Sequence, residues 1–194
     1  MSHTYFQNVM HIVFSTKERR KIIPTQMKER LWAYTAGICK HQGIFVHSIG
    51  GMEDHIHMLL QFPATVMIAE AIKTIKSNSS GWMSDEIGRF GWQQGYGGFG
   101  VSRSNIAAVV RYIQNQERHH RRMTFEKEFI ALLKKHGIEY RCSIRFRMMC
   151  LHLIARNTGA RSSPGAAPTA LSRFPKPTQR LRAGLTSRRA SGAG

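Results

Sequence analysis

The sequence has few cysteines and lacks long apolar runs. Its three cysteines, Cys39, Cys142 and Cys150, are scattered and form no C-x-x-C pair. This argues against a disulfide framework and a cysteine zinc site, and it fits a reducing cytosol. The N-terminus has no basic segment before a long apolar core, and no run of about 18 apolar residues occurs anywhere. We therefore expect a cytoplasmic protein with no signal peptide and no membrane partner.

Acidic residues are missing from the C-terminal part of the chain. Residues 141–194 contain 11 Lys and Arg but no Asp or Glu, which leaves 18 basic and 11 acidic residues, or a net +7, in residues 1–140. The 141–194 segment is rich in small residues and proline, and it cannot bury enough surface to offset its chain entropy. The sequence predicts one domain over 1–140 and a disordered, basic, low-complexity tail over 141–194. The basic domain indicates a polyanionic partner, most simply nucleic acid.

The first 140 residues alternate between strand and helix patterns. Apolar runs predict strands over 8–16, 44–52 and 55–62, the last two joined as a hairpin, and a short strand at the end of the glycine-rich stretch 91–102. Helical spacing and capping residues predict helices over 24–43, 65–88 (with a break or cap near 78–81), 104–120 and 124–137. The order β-α-β-β-α-β-α-α favours an α+β fold of the ferredoxin-like or RRM-like kind, an antiparallel sheet with helices packed on one face.

Residues 51–62, GMEDHIHMLLQF, place two histidines in an apolar strand. Side chains two positions apart on a strand share a face, so His55 and His57 lie about 7 Å apart along one side. Ile56 and Met58 then face the core. Two neutral imidazoles on one surface can bind a metal ion. The same pattern also fits two polar residues on the solvated side of a half-buried strand.

The helix predicted over 104–120 carries polar residues beside its apolar stripe. The stripe consists of residues spaced i, i+3, i+4, i+7, namely Ile106, Val109, Val110 and Ile113. Tyr112 and Gln116 lie only about 40° apart on one shoulder of it, which they share with Asn105 and His119. The Gln116 carbonyl oxygen could ligate a metal ion or position a phosphate. On this pattern alone, an interfacial tyrosine with a hydrogen-bonded neighbour is the simpler interpretation.

Together these residues resemble the single-tyrosine HUH transposases, the small transposases of simple insertion sequences and their REP-associated relatives. The resemblance is carried by HIH after GGMED and by RYIQNQERHH at 111–120. Supporting stretches are HIVFSTKERR, IKSNSS, GYGGFGVSRSN and HHRRMTFEKEFIALLKKHGIEY. The resemblance covers residues 3–140 in order and stops there. A frameshift or read-through near codon 141 would explain both the break and the acid-free composition that follows.

The resemblance implies a bacterial DNA strand transferase and endonuclease of the HUH fold that works on the nucleoid. Tyr112 would attack single-stranded DNA near a hairpin and form a 5′-phosphotyrosine, while His55, His57 and Gln116 would hold Mg²⁺ or Mn²⁺. The family acts as a homodimer in which the HUH pair of one subunit meets the tyrosine of the other. Basic residues beside the predicted elements are expected to contact phosphates and the hairpin stem: Lys17, Arg19, Arg20, Lys73, Lys76 and Arg103.

A non-catalytic, RRM-like nucleic-acid-binding protein is the main alternative. Such a module displays exposed aromatic side chains on its central strands. The predicted strands offer few of them, because Phe14, Phe45 and Phe62 alternate with core positions. A structural zinc domain lacks ligands at the required spacing. A covalent DNA adduct that survives denaturation would separate an enzyme from a binding module.

Overall fold

The computed structural model describes residues 5–140. Its strands are β1 (Val9–Ser15), β2 (Phe45–Gly51), β3 (His55–Gln61) and β4 (Gly97–Gly100). Its α-helices are α1 (Lys28–His41), α2 (Ile68–Ile87), α3 (Ile106–Gln114), α4 (Gln116–His120) and α5 (Phe125–Lys135). Among residues 5–140, no helix is long and apolar enough to span a membrane. The predicted disordered tail over 141–194 lies outside the described residues.

The four strands form one antiparallel sheet in the order β2-β3-β1-β4. Strand β3, which carries the histidine pair, and strand β1 therefore lie at the centre, with Val13 opposite His57 and Phe14 opposite Ile56. The hairpin predicted between β2 and β3 is confirmed. The element order and the sheet order together confirm the α+β, ferredoxin-like prediction.

One face of the sheet packs against α1 and α2. Ile56 and Met58 from β3 are fully buried there, beside Phe14 from β1. Leu31 of α1 and Ile72 of α2 complete the same apolar core. The prediction that Ile56 and Met58 point into the core, under helices packed on that face, is confirmed.

The opposite face is covered by the helices that follow β4. Ile113 of α3 packs on Leu59, and Phe125 of α5 lies in the cluster around Val13. This cover buries the histidine pair, since His55 is 1% exposed and His57 is fully buried. The interpretation of the pair as polar residues on a solvated face is therefore wrong, because a second helical layer excludes water from that face.

Two helix predictions need correction. The break expected near residues 78–81 is absent and α2 runs from 68 to 87, because one buried stripe continues through Ser79, whose hydroxyl donates to the Ile75 carbonyl at 2.6 Å. The helix predicted over 104–120 is instead divided at Asn115, between α3 and α4. Asn115 leaves the helical conformation with φ −102° and ψ 24°, and its side-chain amide donates to the Arg111 carbonyl at 2.7 Å.

Candidate active site

Each histidine of the pair has one ring nitrogen engaged by a neighbour. His55 Nδ1 lies 2.7 Å from Asp54 Oδ1, and His57 Nδ1 lies 2.9 Å from Nε2 of His11 on β1. Because an ionised carboxylate only accepts hydrogen bonds, His55 carries its proton on Nδ1 and leaves the Nε2 lone pair free. The Nε2 atoms of both histidines are buried without a hydrogen bond. Neighbours that engage the second ring nitrogen are what orient histidines that ligate metals.

Burial keeps the central imidazoles neutral. It lowers the pKa of His57 to about 4, against the opposing effect of Glu128, and it lowers the pKa of His11 to about 3, with His57 adding to the effect. Only a neutral imidazole has a lone pair for a metal ion. His57 is therefore in its ligand form at neutral pH.

Asp54 is itself held in place by an arginine. Arg19 Nη2 lies 3.3 Å from Asp54 Oδ2, and Arg19 Nη1 lies 2.6 Å from Glu126 Oε1. The same guanidinium lies over the Phe125 ring, 5.2 Å from its centroid. Burial raises the pKa of Asp54, but the hydrogen bond from His55 and the charge of the Arg19 guanidinium outweigh burial and lower that pKa. Arg19 thus helps to orient His55 through Asp54.

A buried carboxylate faces the two histidines. Glu128 on α5 is 2% exposed, and its Oε2 lies 3.5 Å from His57 Nε2 and 3.2 Å from His120 Nε2. One candidate ligand atom from each of His55, His57, His120 and Glu128 lies within 4.8 Å of the other three. Two ligand atoms that each lie about 2.0–2.2 Å from one ion are at most about 4.4 Å apart, so a spacing of this order suits a shared ion.

Six buried polar atoms in and beside this cluster of histidines and Glu128 make no hydrogen bond: Nε2 of His55, His57, His119 and His120, Oε1 of Gln116, and Oε2 of Glu128. Buried polar groups are normally paired, since leaving one unpaired costs about 1–3 kcal/mol. A divalent cation among these atoms would satisfy their lone pairs. The residues present therefore fit a metal site.

Tyr112 lies beside the histidines of its own chain. Its ring centroid is 5.9 Å from that of His57 and 6.0 Å from that of His11, and its hydroxyl donates to Glu128. Gln116 is buried, and its Nε2 donates to Glu128 Oε1 at 3.2 Å. The structure thus brings Tyr112 and Gln116 together with the histidine pair.

Glu128 and Tyr112 are in opposite protonation states. Burial raises the pKa of Tyr112, and the Glu128 carboxylate beside it raises that pKa further, well above the usual range. Burial also raises the pKa of Glu128, but the His120 and His57 imidazoles and the Tyr112 hydroxyl beside the carboxylate outweigh burial and hold that pKa well below the usual range. A neutral phenol therefore donates to an ionised carboxylate at rest.

The six predicted DNA-binding residues differ in their surroundings. Lys17, Arg20, Lys73 and Arg103 are exposed. Arg19 is engaged by Asp54 and Glu126, as described above. The Lys76 ammonium donates to the backbone carbonyls of Gln93 and Gly95, and burial lowers its pKa to about 8. Arg19 and Lys76 therefore have structural partners inside the chain.

Sequence reasoning missed three residues of this cluster: His11, His120 and Glu128. A signal for Glu128 was present, because it lies three residues after Phe125 and directly before Phe129, on the apolar stripe of α5. An acidic residue on the buried face of an amphipathic helix needs a partner. His11 gave a comparable signal, since it is a lone imidazole in the apolar strand β1.

Comparisons with known proteins agree with the resemblance. The family model described as "Transposase IS200 like" matches residues 4–116, a stretch that includes the histidine pair, Tyr112 and Gln116. The transposases for insertion sequence element IS200 from Salmonella typhimurium and Salmonella typhi are each 26% identical to this chain over 124 residues. That alignment covers 60% of this chain and 81% of each relative.

Two solved structures are similar to this chain. A candidate transposase from Deinococcus radiodurans R1 gives a TM-score of 0.49 at 22% identity, over 60% of this chain and 95% of that one. A REP-associated tyrosine transposase bound to a REP hairpin gives 0.48 at 13% identity, over 62% of this chain and 73% of that one. On the family match, which spans more than half of its length, this chain belongs to the IS200-like transposase family.

Proposed function

We propose that this transposase is an endonuclease and strand transferase that cuts and rejoins single-stranded DNA through a 5′-phosphotyrosine at Tyr112. The observation that carries the proposal is the position of the Tyr112 hydroxyl. It donates to the buried Glu128 carboxylate, beside a histidine pair whose Nε2 atoms make no hydrogen bond. A nucleophile within hydrogen-bond reach of a base is the arrangement that covalent catalysis uses.

In the proposed reaction, the Tyr112 oxygen attacks the phosphorus in line and passes its proton to the Glu128 carboxylate. The bond from phosphorus to the 3′-oxygen breaks, and that oxygen takes a proton from water and leaves as a free 3′-OH. The 5′-phosphate stays on the tyrosine. The 3′-OH of another strand then attacks this phosphorus and gives its proton to water. The bond from phosphorus to the Tyr112 oxygen breaks, that oxygen regains a proton from Glu128, and a phosphodiester is restored without ATP.

A divalent cation, Mg²⁺ or Mn²⁺, would be held by His55, His57 and Gln116, joined by His120 and Glu128. Bound there, it would neutralise charge on a nonbridging phosphate oxygen. The unpaired, buried Gln116 Oε1 supports the glutamine as a ligand. A donor set rich in imidazole favours Mn²⁺ over Mg²⁺.

We also propose a homodimer with shared active sites that acts on a hairpin-bearing strand. Tyr112 lies beside its own His57 here, so sharing requires α3 to exchange between two subunits and make the same contacts there. The glycines over 95–100 precede α3 and would permit such an exchange. The exposed basic residues Lys17, Arg20, Lys73 and Arg103 would contact the strand and the hairpin stem.

The test is covalent trapping on single strands taken from the DNA that flanks the gene. Tyr112→Phe removes one hydroxyl, so folding and DNA binding should persist while the denaturation-resistant adduct disappears. Mixing the Tyr112→Phe and His57→Ala variants should restore some adduct if sites are shared, because one site of a mixed dimer is then intact. An adduct formed by the Phe variant would refute the assignment. DNA binding without any adduct from the wild type would favour the RRM-like binding module.

A further inference from the structure

A cavity of about 380 Å³ lies between α3, β4 and α5, next to the tyrosine. Tyr112, His119 and Glu128 form part of its wall, so it adjoins the proposed cleavage site directly. His11, which engages His57, also lines the cavity, and the other lining residues take no part in the cleavage chemistry. Its volume falls within the range of small-molecule pockets, about 300–1,000 Å³.

The walls away from the cleavage site are mainly apolar. They include the Phe99 ring, Val109 and Leu132, with the small side chains Ala108 and Ala131 between them. A phosphate group would lose its hydration against such walls, which is costly for a charged group. A flat heterocycle would bury its faces there at little cost. The apolar walls therefore suit an aromatic ring, and the Lys135 ammonium that also lines the cavity suits the phosphate of the same nucleotide.

Three polar side chains, Asn105, Lys135 and His136, line the same cavity and remain exposed. His136 Nδ1 lies 2.9 Å from the Leu132 carbonyl oxygen, an atom that only accepts. A neutral His136 thus carries its proton on Nδ1 and offers Nε2 as an acceptor, while the Asn105 amide offers both donors and an acceptor. Groups of this kind distinguish nucleobases by their edges.

We propose that this cavity receives one nucleobase of the DNA strand, from a nucleotide adjoining the phosphodiester that Tyr112 attacks. The inference rests on the proposed cleavage reaction: when phosphorus is within reach of the Tyr112 oxygen, the flanking nucleotides must lie beside the tyrosine. A base held there sets the register of the strand, so that one chosen phosphate meets the nucleophile. An α-helix of a partner protein, about 10–12 Å across, would not fit in a cavity of this volume.

Variants that fill the cavity from opposite walls test the proposal. Ala131→Phe on α5 and Ala108→Leu on α3 add bulk at exposed positions without changing the histidine cluster. Ala33→Phe is the matched control, because Ala33 is an exposed residue of α1, a helix that packs on the other side of the sheet. Circular dichroism of all three variants checks that they fold.

The first measurement needs no cleavage. Each deoxynucleoside 5′-monophosphate (dAMP, dCMP, dGMP and TMP) is titrated into the whole chain and followed by saturation-transfer NMR. We expect the base protons of at least one nucleotide to receive saturation, and its affinity to fall about tenfold in both cavity variants, as loss of a base-stacking site typically causes. The control should bind like the wild type. Equal binding by all four proteins, or none by the wild type, overturns the proposal.

The second measurement uses a single-stranded oligonucleotide on which the wild type forms its adduct. An abasic site on one side of the cleaved phosphate should slow the wild type about tenfold but leave the already slow Ala131→Phe variant unchanged. If adduct formation depends on Tyr112 yet tolerates abasic sites on both sides, the cavity proposal fails and the proposed cleavage stands. If no adduct forms, the cleavage reaction fails and the nucleotide titration alone decides the cavity.

Discussion

At the level of single residues, the histidine pair shows how neighbours select the nitrogen that is free to act. Asp54 and His11 occupy the Nδ1 atoms of His55 and His57, which leaves both Nε2 atoms without a hydrogen bond and that of His57 beside Glu128. Without these partners each ring could rotate or change tautomer. Glu128 then links the two halves of the site, because the same carboxylate accepts from Tyr112 and lies 3.5 Å from His57.

Metal affinity should depend on Glu128 as well as on the histidines. Glu128→Gln keeps the shape but removes the charge, and we expect Mn²⁺ to bind about 10–100-fold more weakly, the range typical for groups that support a metal site. His55→Ala and His57→Ala should abolish binding and cleavage, as EDTA should abolish cleavage. Gln116→Ala should be milder, because water can replace one neutral oxygen.

Isothermal titration calorimetry without DNA measures these affinities directly. Glu117→Gln provides the control, since Glu117 is exposed on α4 and lies outside the cluster. Wild-type affinity in Glu128→Gln would show that this carboxylate serves only the tyrosine. Full cleavage in EDTA would show that the histidines have another role.

Metal-free protein should lose stability as the pH falls below about 6.5. Burial lowers the pKa of His11 to about 3 and of His57 to about 4, so between these values and 6.5 only the unfolded chain takes up their protons. At pH values well below 6.5, each of these two histidines then lowers the free energy of unfolding by on the order of 1.4 kcal/mol per pH unit. Burial lowers the pKa of His120, but its interactions with Glu128 outweigh burial and raise that pKa, so this histidine gains stability as the pH falls. The single gain from His120 is smaller than the combined loss from His11 and His57.

Thermal unfolding in EDTA at pH 7.0 and pH 5.0 tests this expectation. The melting temperature should be lower at pH 5.0, and His11→Asn should reduce the difference by removing one of the two groups. Equal melting temperatures at the two pH values would contradict the assignment of neutral, buried histidines.

At the level of elements, the nucleophile is positioned by the way α3 lies on the sheet. α3 packs Ile113 into the cluster with Leu59 and Val9, which holds Tyr112 over the histidines. The break at Asn115 ends α3 just before Gln116, and α4 then carries the histidines that approach Glu128. Two short helices, rather than the one predicted helix, therefore place Tyr112 and the α4 histidines around Glu128.

Gly50→Ala should disturb this packing. A Cβ at Gly50 would lie 2.7 Å from the Ile113 backbone oxygen and 3.0 Å from its Cγ2, so α3 would have to move away from β2. We expect a loss of about 1–3 kcal/mol in stability, the usual cost of overpacking. Cleavage should fall about tenfold or more, because a small misplacement of a reacting group is costly.

Gly37→Ala is the matched control for this substitution. Gly37 lies inside α1 with no atom within 4 Å of an added Cβ, and alanine should stabilise the helix by about 1 kcal/mol. Chemical denaturation and the adduct assay measure both effects. Unchanged cleavage in Gly50→Ala would show that the position of α3 is not critical.

At the level of the whole molecule, the basic residues extend over the full sequence, whereas every acidic residue lies within residues 1–140. Tyr140, the last of the described residues, packs with Ile138 against the cluster around Val13. The following 54 residues carry 11 of the 29 basic residues and no acid. We therefore keep residues 1–140 as the proposed transposase domain and 141–194 as a separate basic tail.

Removing residues 141–194 should leave a folded protein that still forms the adduct. Its affinity for a generic 30-nucleotide single strand should fall, and the salt dependence should flatten by about 0.7 for each phosphate that the tail no longer neutralises. Lys17→Gln and Arg103→Gln in the shortened chain should flatten it further. Fluorescence anisotropy over a range of salt concentrations measures both slopes. Aggregation of the shortened chain, or its failure to form the adduct, would show that the domain needs residues from the 141–194 segment.

The sequence by itself determined the element order, the faces of the central strands and the grouping of Tyr112 with Gln116. These features follow from local periodicity, 2 along a strand and 3.6 along a helix, which a single segment displays. The resemblance to single-tyrosine transposases rested on the same local motifs, and the family match confirmed it.

The tertiary structure alone decided which side chains meet in the site. His11, His57 and Glu128 come from β1, β3 and α5, and nothing local to any of them indicates that the other two are neighbours. Burial of the histidine pair likewise depends on α3 and α5 folding back over the sheet. Contacts between distant segments depend on how whole elements pack, and for that reason the complete cluster could not be predicted from its separate motifs.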